Sequence, residues 1–97
     1  MIRTGDIYLA DMNEEVRRRV LVVSTERFHR ASDRALVAPE RSVSPANVQF
    51  PWWIRVDDMV FAVDLVRTIP LAFLLERLDR APMAAMEAVR RAVHNIT

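Results

Sequence analysis

Arginine side chains dominate the residues of this chain that could do chemistry. Three of them, Arg17, Arg18 and Arg19, stand together directly before a run of apolar residues. A guanidinium group is planar and can donate two parallel hydrogen bonds to one phosphate group, so the triplet is a candidate phosphate-binding site. A solvated entry into a strand is the alternative interpretation of the same triplet.

Other residues suited to proton transfer are few and scattered. Asp64 lies close to Arg67, where it could be a structural carboxylate that holds Arg67 or Arg18. Imidazole is a common acid or base in catalysis, but no motif surrounds His29 or His94, and we expect both at the surface. Glu40 is a reserve candidate for a general base. No spacing of His, Asp or Glu indicates a metal site, and cysteine is absent.

Two neighbouring tryptophans, Trp52 and Trp53, lie in a predicted strand and should face opposite sides of it. One is expected in the core. The other, for which we take Trp53, is left for a subunit contact, a partner groove or a stacked RNA base. Packing in the core or in a dimer is the more common use of such a side chain.

The composition limits the class of protein. With 97 residues and no linker or repeat, residues 1–97 are expected to form one domain. The formal net charge of +1 argues against a general polyanion binder. No apolar run reaches the ~20 residues of a membrane span, and residues 1–5 do not resemble a secretory signal. A cytoplasmic protein with no membrane partner is therefore expected.

Periodicity along the chain predicts mostly strands. Alternating or continuous apolar residues predict strands at Gly5–Asp11, Val20–Val23, Ala35–Ala38, Val48–Val56, Met59–Val63 and Val66–Ile69. Asp57-Asp58 is the predicted tight turn, and the run Val20–Val23 fits a strand buried on both faces. A closing helix should be capped by Asp79 and bury an apolar face made of Met83, Met86, Val89, Val93 and Ile96. The predicted fold class is β-rich α+β, a small SH3-like curled β-barrel of five to seven strands with a C-terminal α-helix.

Four phrases in a fixed order carry a family resemblance. They are Gly5–Asp11, Arg18–Ser24, Asp64–Thr68, and Leu78–Met83 with the alanine- and arginine-rich segment after it. Together they resemble the PemK/MazF-type toxins of type II toxin–antitoxin systems. Arg18 matches the family's catalytic arginine, and Asp64 matches an acid implicated in proton transfer or base contact. The family's threonine falls at Arg41, one residue before Ser42, which is the main departure from the pattern.

The resemblance implies a sequence-selective endoribonuclease that cleaves single-stranded RNA without a metal or other cofactor. The substrate's own 2′-hydroxyl would attack the phosphorus, so the enzyme needs a base, an acid and a cation. Arg18, Asp64 and Ser42 are the candidate catalytic residues. The candidate RNA-binding residues are Arg17, Arg19, Arg41, Arg67, Thr68 and Trp53. The family also implies a homodimer and an antitoxin whose acidic C-terminal peptide occupies the RNA groove.

Three alternatives remain open. The first is a family member that binds antitoxin or RNA without cleaving, which the loss of the threonine at Arg41 favours. The second is a CcdB-like gyrase poison. Such proteins end in Trp-Gly-Ile, whereas this chain ends in His94-Asn95-Ile96-Thr97. The third is a plain nucleic-acid-binding barrel, which the near-neutral charge disfavours.

Overall fold

A computed structural model describes residues 1–97, which form seven strands and two α-helices. The strands are β1 (Asp6–Ala10), β2 (Arg18–Val22), β3 (Arg34–Pro39), β4 (Trp53–Val56), β5 (Met59–Ala62), β6 (Arg67–Pro70) and β7 (Leu74–Arg80). The helices are α1 (Glu26–Ser32) and α2 (Met83–Ile96), and short 3-10 turns lie at Pro45–Asn47, Val63–Leu65 and Leu71–Phe73. No helix is long and apolar enough to cross a membrane.

The strands form an antiparallel sheet in the order β6-β3-β2-β1-β7 and a separate hairpin of β4 and β5. The edge strands β6 and β7 are joined by only the three residues Leu71–Phe73. That connection spans at most about 14 Å, whereas the edges of a flat five-stranded sheet lie about 19 Å apart. The sheet must therefore curl. The α+β class, the seven strands and the C-terminal helix agree with the sequence prediction, but β6 and β7 do not pair, so the sheet is not closed into a barrel.

Strand β2 lies at the centre of the sheet and has an apolar layer on each side. Val20, Leu21 and Val22 are all 0% exposed. Leu21 belongs to the cluster formed with the β4–β5 hairpin and α2, which we call the hairpin core. Val20 and Val22 belong to a second cluster with Leu74, on the face crossed by the β6–β7 connection, which we call the inner core. The predicted burial of the run Val20–Val23 on both faces holds for Val20–Val22, whereas Val23 follows the strand and is half-buried.

The helix α2 differs from the prediction in its N-cap residue and in part of its buried face. Its N-cap is Pro82, and Asp79 lies inside β7 instead of capping the helix. The buried side chains are Ala85, Val89 and Ala92. Of the predicted apolar face, Val89 is buried and Met86 packs against the hairpin core, whereas Met83, Val93 and Ile96 are exposed. The small alanine side chains let the helix lie close to β4 and the 63–65 turn, so the alanine face is the one that packs.

Asp64 lies in the 3-10 turn Val63–Leu65, between two of the predicted strands. One prediction about a single residue is wrong. His29 is buried, with 4% of its surface exposed, because α1 turns its ring toward the N-terminal segment. His94 is exposed, as expected.

Candidate RNA-cleavage site

Arg18 begins β2, where it is paired with Ala10 of β1. Because side chains alternate along a strand, Arg18 faces the same side of the sheet as Val20, at one end of the inner core. Its Nε atom lies 3.4 Å from Oε1 of Glu14, and both side chains are partly exposed. No protein group accepts a hydrogen bond from the Arg18 Nη atoms, so these donors are open to a ligand. The exposed Arg17 precedes it.

Arg19 points to the other side of β2 and is already engaged. Its Nε donates to Glu40 Oε1 at 2.8 Å, and its Nη2 donates to Glu40 Oε2. These hydrogen bonds raise the pKa of Arg19 above its ordinary value, although burial opposes the change. Both oxygens of Glu40 are therefore occupied, which makes Glu40 a poor general base. The pair ties the start of β2 to the end of β3.

Arg41, Trp53 and Asp64 form a third group, beside the hairpin core. The Arg41 guanidinium carbon lies 5.5 Å from the centroid of the Trp53 ring, a distance suited to a cation–π interaction. The Trp53 Nε1–H donates to Asp64 Oδ1 at 2.9 Å. Asp64 thus holds Trp53 and neither Arg67 nor Arg18, contrary to the expectation of a structural carboxylate paired with arginine. Phe50 packs edge-on against Trp53, with the ring centroids 5.1 Å apart.

The second tryptophan, Trp52, has a different environment. It packs against the hairpin core and stacks on Phe50, with ring centroids 5.4 Å apart and planes inclined by 13°. Trp52 and Trp53 are both half-buried. The predicted division into one core and one exposed tryptophan therefore does not occur.

The remaining predicted residues lie at exposed positions. Ser42 is exposed and makes no hydrogen bond through its hydroxyl. Arg67 and Thr68 are exposed on the edge strand β6, where Arg34 Nη2 donates to the Thr68 carbonyl at 3.1 Å. No contact joins Arg18 to Asp64. The structure therefore brings together some predicted residues in separate pairs and groups, and it does not assemble all of them around one point.

Glu14 is a residue that the sequence did not single out. It belongs to the loop between β1 and β2 and is the carboxylate nearest to Arg18. Glu14 stands four residues before Arg18, a spacing that brings side chains together on a helix. In an irregular loop the same spacing does not predict a contact, so the sequence did not reveal this pair. No cluster of three or more His, Asp or Glu side chains could hold a metal ion.

Two buried polar side chains lie outside the predicted site. Asp6 is 1% exposed; its Oδ2 accepts from the Arg3 backbone N–H at 2.9 Å, and its Oδ1 accepts from Arg80 Nε at 3.1 Å and Arg77 Nε at 3.3 Å. Burial alone would raise the pKa of Asp6, but these hydrogen bonds outweigh it and hold the pKa below its usual value. Burial and the nearby Asp6 charge raise the pKa of Tyr8.

The second is His29. Its Nδ1 lies 3.2 Å from the Ile2 carbonyl, so Nδ1 carries the hydrogen, and its Nε2 lies 2.6 Å from Ser24 Oγ. Ser24 Oγ in turn accepts from the Leu36 N–H at 2.9 Å. Every polar atom of this group has a partner, and the group fastens the N-terminal segment to α1 and β3.

Comparison with known proteins gives a consistent result. The family model described as the PemK-like, MazF-like toxin of type II toxin–antitoxin system matches residues 3–97. No curated protein sequence matches the chain.

Similar solved structures cover nearly the whole chain at low identity. An endoribonuclease in complex with its cognate antitoxin from a mycobacterial species has a TM-score of 0.86 and 16% identity, covering 98% of this chain and 93% of its own. A MazE–MazF structure from Deinococcus radiodurans has a TM-score of 0.82 and 18% identity, covering 98% and 93%. The Mycobacterium tuberculosis toxin MazF-mt6 has a TM-score of 0.77 and 21% identity, covering 93% of each chain. These structures share the fold of the chain.

Proposed function

The chain belongs to the PemK-like, MazF-like toxin family of type II toxin–antitoxin systems, and from this premise we propose that it is a metal-independent endoribonuclease that cleaves single-stranded RNA at selected sequences. The observation that carries the proposal is Arg18. It occupies the position of the family's catalytic arginine, is partly exposed, and keeps both Nη groups free beside the Glu14 carboxylate.

The proposed reaction needs no group from outside the substrate and the chain. The RNA 2′-hydroxyl attacks the adjacent phosphorus, and Glu14 accepts the hydroxyl proton. Arg18 donates two hydrogen bonds to the phosphate oxygens, where negative charge increases in the transition state. The bond to the 5′-oxygen breaks, that oxygen receives the proton that Glu14 took up, relayed by a water molecule, and a 2′,3′-cyclic phosphate remains. Ser42 and Asp64 stay candidates for the acid and for contacts to the substrate.

The other predicted RNA-binding residues divide into two kinds. Arg17, Arg67 and Thr68 are exposed and have side-chain donors for phosphate or sugar oxygens. Arg19, Arg41 and Trp53 have protein partners that RNA would have to displace or share. We therefore assign phosphate contacts first to Arg17 and Arg67.

The proposed partners follow from the relatives and the surface. The similar structures include an endoribonuclease in complex with its cognate antitoxin and a MazE–MazF structure. An acidic C-terminal antitoxin peptide would suit the arginines of this chain. The apolar side chains Met83, Val93 and Ile96 of α2 are exposed, and we propose that they contribute to a homodimer interface. The proposed location is the cytoplasm.

A second candidate function is binding without cleavage. The specific observation is Arg41, which occupies the family's threonine position and lies against Trp53. A guanidinium there cannot reproduce the contact of a small hydroxyl group. Such a protein would still bind RNA or antitoxin.

The test is incubation of the purified chain with a long mixed-sequence RNA in EDTA, followed by mapping of the new ends. We expect discrete cuts that end in cyclic phosphate, and a loss of about 100-fold or more in rate for Arg18→Ala. Arg91→Ala, an exposed arginine of α2 with no ion pair, is the matched control and should cleave normally. Equal cleavage by both variants would refute the role of Arg18. Binding without cuts by the folded wild-type chain would establish the second candidate.

A further inference from the structure

Two arginines at the end of β7 converge on one buried carboxylate at the start of β1. Arg77 Nε and Arg80 Nε donate to the same oxygen, Asp6 Oδ1, at 3.3 and 3.1 Å. We call Asp6, Arg77 and Arg80 the Asp6 cluster. In a regular strand, side chains three residues apart face opposite sides. The pairing of β1 with β7 shifts register between Ile7 and Tyr8, and this β-bulge brings both arginines to the side of Asp6.

The hydrogen bonds of the Asp6 cluster use only one nitrogen of each guanidinium. No protein group accepts from the Nη atoms of Arg77 or Arg80, and the two side chains are 51% and 44% exposed. Asp6 is itself fixed by the Arg3 backbone N–H at 2.9 Å. Both guanidinium groups are therefore held in place by their Nε atoms. The Nη1 and Nη2 groups of Arg77 and Arg80 remain free to donate to a ligand. Part of the entropy cost of ordering these side chains on a ligand is removed in advance.

The charge of the cluster also favours an anion. One carboxylate faces two guanidinium groups, so a positive charge is left over. Asp6 keeps its negative charge down to unusually low pH because its hydrogen bonds lower its pKa. Arg3 lines the same open cavity of 390 Å³, together with Met1, but its guanidinium is paired with Glu26 at 3.4 Å.

We propose that the Asp6 cluster is a binding site for a single phosphate group, distinct from the Arg18 site. A tetrahedral phosphate presents oxygens in several directions and can accept from both guanidinium forks at once. A planar carboxylate has two oxygens and fits one fork. Asp6 and Ala10 lie at opposite ends of β1, about 13 Å apart along the strand, and Arg18 is beside Ala10. The site therefore does not depend on the proposed cleavage activity.

The bound phosphate could be free inorganic phosphate or one phosphate of a nucleic-acid backbone, and one experiment separates them. The isotopically labelled full-length chain is titrated with inorganic phosphate at constant ionic strength, and the arginine Nε–H resonances are followed by NMR. We expect a saturable shift of the Arg77 and Arg80 resonances. Arg80→Lys keeps a charge for Asp6 but loses the fork, and it should bind phosphate about tenfold more weakly, a change of ~1.4 kcal/mol. Arg91→Lys is the matched control and should bind like the wild type.

A second titration uses a short DNA oligonucleotide without terminal phosphates, which cannot be cleaved. Shifts of the same two resonances, reversed by inorganic phosphate, identify a backbone phosphate as the ligand. Shifts with inorganic phosphate alone identify the free anion. The proposal is overturned if the folded wild-type chain shows no saturable shift, or if Arg80→Lys and Arg91→Lys bind equally well. If Arg80→Lys does not fold, Arg77→Lys replaces it. Neither readout depends on RNA cleavage, so failure of the proposed function would leave the result unaffected.

Discussion

Replacing Asp6 by asparagine should destabilise the fold at neutral pH by a predictable amount. Asparagine has the same shape but no charge, and its amide NH₂ cannot accept from Arg3 if its oxygen faces Arg77 and Arg80. The lost hydrogen bond between the backbone and a buried charged group contributes about 1.5–3 kcal/mol. The two arginine pairs add about 0.5 kcal/mol each, because their guanidinium groups are half-exposed and screened by solvent. We therefore expect Asp6→Asn to lower the free energy of unfolding by about 2.5–4 kcal/mol at pH 7.

The pH dependence of that loss provides a second criterion. The pKa of Asp6 is lowered in the folded chain from its ordinary value of 3.8. Its stabilisation is therefore complete above the unfolded pKa and disappears as the pH falls through the folded pKa. Wild type and Asp6→Asn should differ less at pH 3 than at pH 7, because below pH 3.8 the unfolded wild-type chain takes up a proton at Asp6 more readily than the folded chain does.

Urea denaturation at both pH values, at one fixed protein concentration, measures the two differences. Asp79→Asn is the matched control on the same pair of strands. Asp79 is exposed, and its Oδ1 accepts only from the Arg80 backbone N–H at 2.7 Å. Its loss should cost less than about 0.5 kcal/mol. A gap between wild type and Asp6→Asn that is equally large at pH 3 and pH 7 would refute the reasoning, since the charge would then contribute nothing.

Three further substitutions test other contacts. A double-mutant cycle of Arg19→Ala and Glu40→Ala should give a coupling energy of about 1 kcal/mol in urea denaturation, because the pair is bidentate but partly exposed. A coupling energy near zero would contradict the proposal that this ion pair links β2 to β3. Phe61→Ala should lower the free energy of unfolding by about 3–5 kcal/mol, because Phe61 is 0% exposed in the hairpin core. A melting temperature within 2–3 °C of the wild type would correspond to only ~0.5 kcal/mol and would contradict that packing. Asp64→Ala should move the indole N–H resonance of Trp53 upfield by removing its acceptor, and an unmoved resonance would show that the hydrogen bond is absent in solution.

The parts of the fold that the sequence predicted are those set by local patterns. The continuous apolar run at Val20–Val22 required burial on both faces, and the central strand provides it. The pair Asp57-Asp58 predicted a tight turn, and Asp57 adopts a φ of 55°, which aspartate tolerates better than most residues. Arg18, which the sequence placed just before the predicted strand Val20–Val23, is the first residue of β2. In each case, the local structure is determined by residues that are neighbours in the sequence.

The contacts that the sequence could not predict join distant segments. The Trp53–Asp64 hydrogen bond depends on where the chain turns after β5. His29 is buried because the Ile2 carbonyl and Ser24 meet it, and neither belongs to a local motif. The side of β7 on which Arg80 lies depends on a bulge, which periodicity alone does not reveal. The buried face of α2 was predicted only in part, because the buried Ala85 and Ala92 contribute little to an apolar pattern but permit close packing.

The position of β1 between β2 and β7 has a consequence for synthesis of the chain. Asp6 is among the first residues made, yet its Arg77 and Arg80 partners follow 71 and 74 residues later. Until β7 has been synthesised, β1 is an exposed edge strand and the Asp6 carboxylate is in solvent. The sheet then lacks the contacts between β1 and β7 that stabilise it. A polypeptide that stops before Leu74 therefore cannot complete this fold. A chain cut there also lacks α2, and with it the helix side of the hairpin core.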